Sequence, residues 1–117
     1  MQGQLDFFRA LADPTRLRIV HLLREMELAV GEIALVVGQS QPRVSRHVRI
    51  LVEAGLVNRR KEGSWVFLNL FAGLSAEALL AFLDAAAPSA SEKLWIEAGQ
   101  ARLAAVRAQR AGAAEEF

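Results

Sequence analysis

The stretch "SQPRVSRHVRILVEAGLV", residues 40–57, decides the fold because its polar and apolar residues separate at helical spacing. At 3.6 residues per turn, Val44, Val48 and Leu51 fall on one side and form a stripe suited to burial. The opposite side is polar and cationic and carries Pro42, Ser45, Arg46 and Arg49, with Arg43 on its flank. No Asp or Glu occurs between residues 39 and 52, whereas exposed helices normally carry both signs.

The residues on either side of this helix indicate how it is joined to its neighbours. The preceding stretch "VGEIALVVG", residues 30–38, is short and apolar and ends in Gly38, which favours a helix end. Ser40 can cap the next helix, Pro42 is tolerated in its first turn, and Gly55 ends it. Two helices joined by a tight turn that contains Gly are typical of a helix-turn-helix.

A basic helix in this position is suited to duplex DNA, because its N-terminal residues reach base edges in the major groove. Gln pairs with adenine, Arg with guanine, and Ser with either base. We predict base contacts from Gln41, Ser45 and Arg46 and backbone contacts from Ser40, Arg43 and Arg49, with Pro42 on the same surface. The alternative interpretation is a surface helix whose arginines are incidental.

Strand-forming residues follow the helix at 57–61 and 65–70, and Glu62-Gly63 is the predicted hairpin turn. This ribbon would be a wing, and phosphate or minor-groove contacts are predicted from Arg59, Arg60 and Lys61. The same charges could protect an edge strand from aggregation. His47 borders the buried stripe and is predicted to be mainly structural, with a phosphate contact left open, and His21 to be a half-buried structural residue.

The remaining segments are predicted to be helical. Leu5, Phe8 and Leu11 trace the first helix, and Asp13 with Pro14 begins the second. A later helix places Leu79, Leu80, Phe82 and Leu83 inward, and Pro88 breaks it. The predicted fold class is mainly α with a small β-hairpin, in the order α-α-α-α-β-β-α plus a C-terminal helix. Residues 1–87 are predicted to form the winged helix-turn-helix and dimerisation domain, and residues 88–117 are predicted to form a partly flexible helical extension.

Composition limits the classes of function. The chain of 117 residues is 53% apolar and has no cysteine, which excludes thiolate metal sites and cysteine nucleophiles. Its two histidines lie in different segments, so no metal site is predicted, and no catalytic constellation is recognisable. Neither a membrane-spanning run nor a secretion signal is visible, so the expected location is cytoplasmic. Between residues 39 and 61, six basic residues stand against Glu53 alone, which indicates an anionic polymer as partner.

Three motifs together resemble the ArsR/SmtB family of bacterial winged-helix repressors: "LADPTRLRIVHLL" (11–23), "SQPRVSRHVRILVEAGLV" (40–57) and "RRKEGSWVFLNL" (59–70). The resemblance implies a homodimer whose first and last helices form the interface. It also implies a repressor that reads a pseudo-palindromic operator and is released when a small ligand binds. Where many members carry metal-binding cysteines, this chain has Ala29 and Gly31, which cannot bind a metal ion.

The C-terminal segment "ARLAAVRAQRAGAAEEF", residues 101–117, is similar to the linker that joins such domains to S-adenosylmethionine-dependent methyltransferases in fused members. The resemblance implies S-adenosylmethionine or S-adenosylhomocysteine as a candidate effector, and no cofactor is expected. Two alternatives remain open. The chain could be a DNA-targeting module cut from a methyltransferase fusion, or a winged-helix module that binds proteins.

Overall fold

A computed structural model describes residues 3–70 and 74–115. Its elements in chain order are α1 (Gln4–Leu11), α2 (Pro14–Glu25), β1 (Leu28–Ala29), α3 (Val30–Val37), α4 (Gln41–Glu53), β2 (Val57–Glu62), β3 (Trp65–Leu70), α5 (Leu74–Ala85) and α6 (Ala90–Glu115). The order agrees with the predicted fold class, and the structure adds the two-residue strand β1. In this described part of the chain, no helix has both the length and the apolar character needed to cross a bilayer.

Helix α2 is the central helix, and its start follows the predicted signals. The Oδ1 atom of Asp13 accepts a hydrogen bond from the backbone N of Arg16 at 3.0 Å, and Pro14 occupies the first helical position. Apolar residues on several sides of the helix are buried, namely Ile19, Val20, Leu22 and Leu23. This wide burial explains why α2 contacts α1, α3, α4, β3 and α6.

The turn between α3 and α4 has the predicted helix-turn-helix form. Gly38 ends α3 with φ of 69°, a left-handed conformation that favours glycine. Ser40 then caps α4, and its Oγ accepts a hydrogen bond from the backbone N of Arg43 at 3.4 Å. Pro42 lies in the first turn of α4, where backbone N–H groups have no partner within the helix, so its missing N–H costs no hydrogen bond.

The wing is a hairpin of β2 and β3, and its register runs from Val57 opposite Leu70 to Glu62 opposite Trp65. The turn residues are therefore Gly63 and Ser64, and the prediction of Glu62-Gly63 was wrong by one position. Gly63 has φ of 61°, as a two-residue turn with glycine first requires. Strand β1 adds to the other edge of β3, with Leu28 opposite Leu68, so the sheet order is β1-β3-β2.

Helix α6 shares the core of the winged helix-turn-helix. Its Leu103 and Val106 are buried with the core residues of α2, α3 and the sheet. At Gly99, a Cβ atom would lie 3.2 Å from Cδ2 of Leu22, so glycine allows α6 to approach α2 closely. The division into domains at residue 88 stays a prediction, and in the described residues the two parts meet in one apolar cluster.

Three large apolar residues, of which Phe82 was predicted to point inward, lie at the surface of the single chain. Leu5 and Phe8 on α1 are 69% and 62% exposed, and Phe82 on α5 is 67% exposed. Ala10 of α1 and Leu79 of α5 are buried instead, with Leu11 and Leu83 partly buried against the core. Phe82 was thus wrongly predicted to point inward, because periodicity cannot tell a core face from a face left open for a partner.

Candidate nucleic-acid interface

Helix α4 separates its residues into the two predicted faces. Val44, Val48 and Leu51 are at most 1% exposed and anchor the helix in the core. Within residues 41–49, the side chains that point away from the core are all exposed, and we call them the outer face of α4: Gln41, Pro42, Arg43, Ser45, Arg46 and Arg49. The predicted geometry of this helix is confirmed, since its cationic residues lie on its solvent side.

The arginines of the outer face have no acidic partner among the residues that the structure describes. Within residues 3–70 and 74–115, the side chains of Arg43, Arg46 and Arg49 make no ion pair and no hydrogen bond. Arginines elsewhere in the molecule do form ion pairs with carboxylates, namely Arg9, Arg16, Arg24, Arg60 and Arg110. The positive charge of α4 therefore stays available to an external anion.

The N-terminal end of α4 combines an exposed helix start with a polar side chain. Ser40 is exposed, and the first-turn amides of α4 can face an anion there. The side chain of Gln41 rests against α3, where its Nε2 lies 3.1 Å from the position that a Cβ atom would take on Gly31. A glycine in the first turn of α3 thus leaves room for the Gln41 amide beside the helix-turn-helix.

His47 lies at the boundary between α4 and the core. Its side chain is 18% exposed, and Nδ1 lies 3.2 Å from Nη1 of Arg16. Burial lowers the pKa of His47 below its ordinary value; Asp13 opposes this shift, whereas Arg16, Arg43 and Arg46 reinforce it. This environment suits a neutral imidazole that accepts a hydrogen bond from Arg16, and the phosphate contact of His47 stays a prediction.

The three basic residues of the wing lie in two different environments. Alternate residues of a strand point to opposite faces, so Arg59 and Lys61 share one face of β2 and Arg60 lies on the other. Arg59 and Lys61 are exposed and form no ion pair with any residue that the structure describes. Arg60 donates from Nη2 to Oε1 of Glu27 at 2.6 Å and from Nη1 to Oε2 of Glu62 at 3.0 Å. These bonds, Glu27 first, raise the pKa of Arg60.

The acidic partners of Arg60 and Arg110 were not predicted from the sequence. Glu27 also accepts a hydrogen bond from Nδ2 of Asn69 at 2.8 Å, and the bonds from Arg60 and then Asn69 lower the pKa of its carboxyl. Glu32 on α3 forms an ion pair with Arg110 on α6. Glu27 lies 33 positions from Arg60 and Glu32 lies 78 positions from Arg110, and no local pattern signals such pairs.

A second feature is a cavity of about 550 Å³ between α2, α6 and the end of α5. Its wall includes the rings of His21 and Trp95, whose centroids are 5.8 Å apart in an edge-to-face arrangement. An ion pair of 2.7 Å between Arg24 and Asp84 lies at the same cavity and joins α2 to α5. Burial, and then the nearby charge of Arg102, lower the pKa of Arg18, which also lines the cavity.

Ala29 and Gly31, which the family resemblance aligned with metal-binding cysteines, lie at the start of α3. Ala29 is the residue before the helix, and Gly31 is in its first turn. Among the residues that the structure describes, no three His, Asp or Glu side chains are placed together to hold a metal ion.

A helix-turn-helix with a cationic outer helix, followed by a β-hairpin, defines a winged helix-turn-helix protein. Residues 13–59 match the family model described as bacterial regulatory protein, arsR family. The chain belongs to this family of transcriptional regulators, as its relatives also indicate.

Two named relatives and one solved structure show how far the similarity extends. The arsenical resistance operon repressor of Escherichia coli (strain K12) is 48% identical over 67 residues, which cover 56% of this chain and 57% of that protein. The uncharacterized HTH-type transcriptional regulator MJ1325 of Methanocaldococcus jannaschii is 44% identical over 63 residues, which cover 53% of this chain and 71% of that protein. This chain spans about half the length of several other curated relatives.

The solved structure is the homodimeric winged helix-turn-helix DNA-binding domain of Mb0332 from Mycobacterium bovis, determined by NMR in solution. Its TM-score is 0.63 at 32% sequence identity, and the match covers 69% of this chain and 74% of that chain. The similarity supports the fold over the winged helix-turn-helix.

Proposed function

We propose that this protein is a sequence-specific transcriptional repressor that binds double-stranded DNA as a homodimer. The observation that carries the proposal is the outer face of α4, which is cationic and exposed and has no acidic residue between residues 41 and 52. Phosphate neutralisation supplies most of the affinity for duplex DNA, and base-edge contacts supply the specificity. A helix with both kinds of side chain on one face serves both needs.

Each residue of this surface has a proposed role. Gln41, Ser45 and Arg46 read base edges in the major groove, since they lie in the N-terminal half of α4. Backbone contacts come from Ser40, Arg43 and Arg49, and Pro42 packs beside them. At the wing, Arg59 and Lys61 contact phosphates or the minor groove. Arg60 and His47 contribute to DNA binding mainly by positioning other elements, Arg60 through its bond to Glu27 and His47 through its bond to Arg16.

The dimer is supported by apolar surface that a single chain leaves open. Leu5 and Phe8 on α1 and Phe82 on α5 are large apolar side chains more than 60% exposed. Exposed apolar residues of this size favour an interface. The homodimeric state of the Mb0332 domain supports the same arrangement. Two copies would present two α4 helices to half-sites about 34 Å apart, which requires a pseudo-palindromic operator.

Release by a small-molecule effector completes the proposal, and S-adenosylmethionine or S-adenosylhomocysteine is the candidate. The aromatic rings of His21 and Trp95 would suit an adenine ring, and Arg18 would suit a carboxylate. The carboxylates of Glu25 and Glu92, which also line the cavity, would suit the amino group. At one hundred times its Kd, either compound should stabilise the fold by about 2.7 kcal/mol. No rise in Tm with either compound at millimolar concentration would refute this effector.

Fluorescence anisotropy of labelled random duplex DNA, at low and at moderate salt, tests the proposed function. We expect binding whose affinity falls steeply with salt, because phosphate contacts release counterions. Arg49→Gln should lower the slope of log affinity against log salt by about one unit. No binding even at low salt would contradict the proposal and favour a module that binds proteins.

A further inference from the structure

Arg110, near the C-terminal end of α6, makes contacts that reach the start of α3. Its Nε donates to Oε2 of Glu32 at 2.8 Å, and its Nη2 donates both to Oε1 of Glu32 and to the backbone oxygen of Glu27, the latter at 3.1 Å. Two parallel bonds from a guanidinium to one carboxylate fix the relative orientation of both groups. The end of α6 is thereby held on the helix that precedes the turn.

The same contacts continue into the wing. The carboxylate of Glu27 accepts hydrogen bonds from Arg60 on β2 and from Asn69 on β3. The guanidinium carbons of Arg60 and Arg110 lie 4.9 Å and 5.7 Å from the ring centroid of Phe67, which is a cation–π arrangement. We call Glu27, Glu32, Arg60, Phe67 and Arg110 the Arg110 cluster. It joins α6, α3 and both long strands.

The Arg110 cluster differs from an ordinary surface ion pair. The side chains of Arg110 and Glu32 are only 39% and 22% exposed. Glu32 also accepts a hydrogen bond from the backbone N of Ala29 at 2.9 Å, which fixes it at the start of α3. A second arginine of α6, Arg102, donates to the backbone oxygen of Val36 at 2.6 Å near the other end of α3. Helix α6 is thus bound to both ends of the first helix of the helix-turn-helix.

We propose that Arg110 is a positioning residue for DNA binding, which holds the wing at a fixed angle to the helix-turn-helix. Arg59 and Lys61 on β2 then reach the DNA backbone while α4 occupies the major groove. This inference rests on the proposed function and assigns a role to the C-terminal helix, to which the proposed function gives no contact with DNA. Residues 58–65 of the hairpin are all exposed, so its tip has little support from the core and small changes at its base move the tip.

The first test is amide hydrogen exchange of the full chain without DNA, with Arg110→Met compared with the wild type. We expect faster exchange over residues 57–70 and unchanged exchange in the buried part of α2. Arg107→Met is the matched control, since Arg107 is exposed on the same helix and has no ion pair among the described residues. Glu32→Gln should reproduce the effect of Arg110→Met. Equal wing exchange in Arg110→Met and wild type would overturn the inference.

The second test is a double-mutant cycle on DNA affinity between Arg110→Met and Arg59→Gln. Arg110→Met alone should weaken binding about fivefold to tenfold, the size of a lost phosphate contact. Arg59→Gln should then cost less in the Arg110→Met background than in the wild type, because the wing is already misplaced. A merely structural role would give additive effects and would overturn the inference. If the wild type fails to bind DNA, the proposed function is refuted. The hydrogen-exchange test needs no DNA, so it tests the role of Arg110 in holding the wing independently of that result.

Discussion

Nη1 of Arg16 on α2 lies 3.2 Å from Nδ1 of His47 on α4. Arg16 also donates from Nε to the backbone oxygen of Ala10 at 2.6 Å and from Nη2 to that of Arg9 at 3.1 Å. One guanidinium therefore holds the end of α1 and the middle of α4 on the central helix. This contact places the outer face of α4 without itself belonging to it.

His47 should make stability depend on pH. Burial first, then nearby arginines, lower its pKa in the folded state, so the unfolded state binds a proton more readily. The contribution of the neutral His47 side chain to the free energy of unfolding is fully present above the ordinary pKa of 6.5. It is lost as the pH falls through the lower pKa of the folded state. Thermal melts between pH 7.5 and 5 should show a larger loss for the wild type than for His47→Gln. Burial also lowers the pKa of His21, but His21 is present in both proteins, so its effect on stability cancels in the comparison.

Equal losses in the two proteins would contradict this interpretation of His47. The same pair of proteins tests its contact with DNA. If a protonated His47 contacted phosphate, the affinity of the wild type for DNA would rise relative to His47→Gln as pH falls below 6.5.

Gly31→Ala should change base preference without loss of stability. The added Cβ would lie 3.1 Å from Nε2 of Gln41, so the flexible amide must move. Alanine in a helix is favoured over glycine by up to about 1 kcal/mol, so the free energy of unfolding should stay equal or rise. Binding titrations with operator variants should show weaker discrimination at the base that Gln41 reads. Gly112→Ala, in open space on α6, is the control and should leave discrimination unchanged.

Leu51→Ala should destabilise the fold strongly, whereas Arg49→Ala should not. Leu51 is 0% exposed in the core, and truncation of a buried leucine costs about 2–5 kcal/mol. Arg49 is exposed on the same helix, and such surface changes usually stay within about 0.5 kcal/mol. Urea unfolding of each variant measures its loss in the free energy of unfolding. Similar losses for the two variants would mean that α4 is oriented differently.

The elements that position the outer face of α4 were predictable because their signals are local. Val44, Val48 and Leu51 repeat at helical spacing, Asp13 and Ser40 cap their helices, and Gly38 ends one. Strand β1 escaped prediction because two residues, Leu28–Ala29, carry no periodicity. It exists through pairing with β3, a tertiary contact.

The partners of the charged residues were not predictable, for a similar reason. Nothing in the sequence distinguishes Arg60 from Arg59 and Lys61. In the structure, however, Arg60 forms ion pairs with Glu27 and Glu62. Arg110 was assigned to an extension with partly flexible structure, and it bonds to Glu32 across 78 positions of the chain. Such pairs depend on how helices and strands meet, which composition and spacing do not encode.

Selection of bound sequences from a random duplex pool tests the role of the outer face of α4 most directly. The selected operator is then titrated with the wild type, with Arg46→Ala and with the control Arg107→Ala. We predict that Arg46→Ala loses about 1–3 kcal/mol of binding and its preference at one base pair per half-site, while Arg107→Ala behaves as the wild type. If Arg46→Ala binds the selected operator with the affinity and base preference of the wild type, the proposed role of the outer face of α4 is wrong.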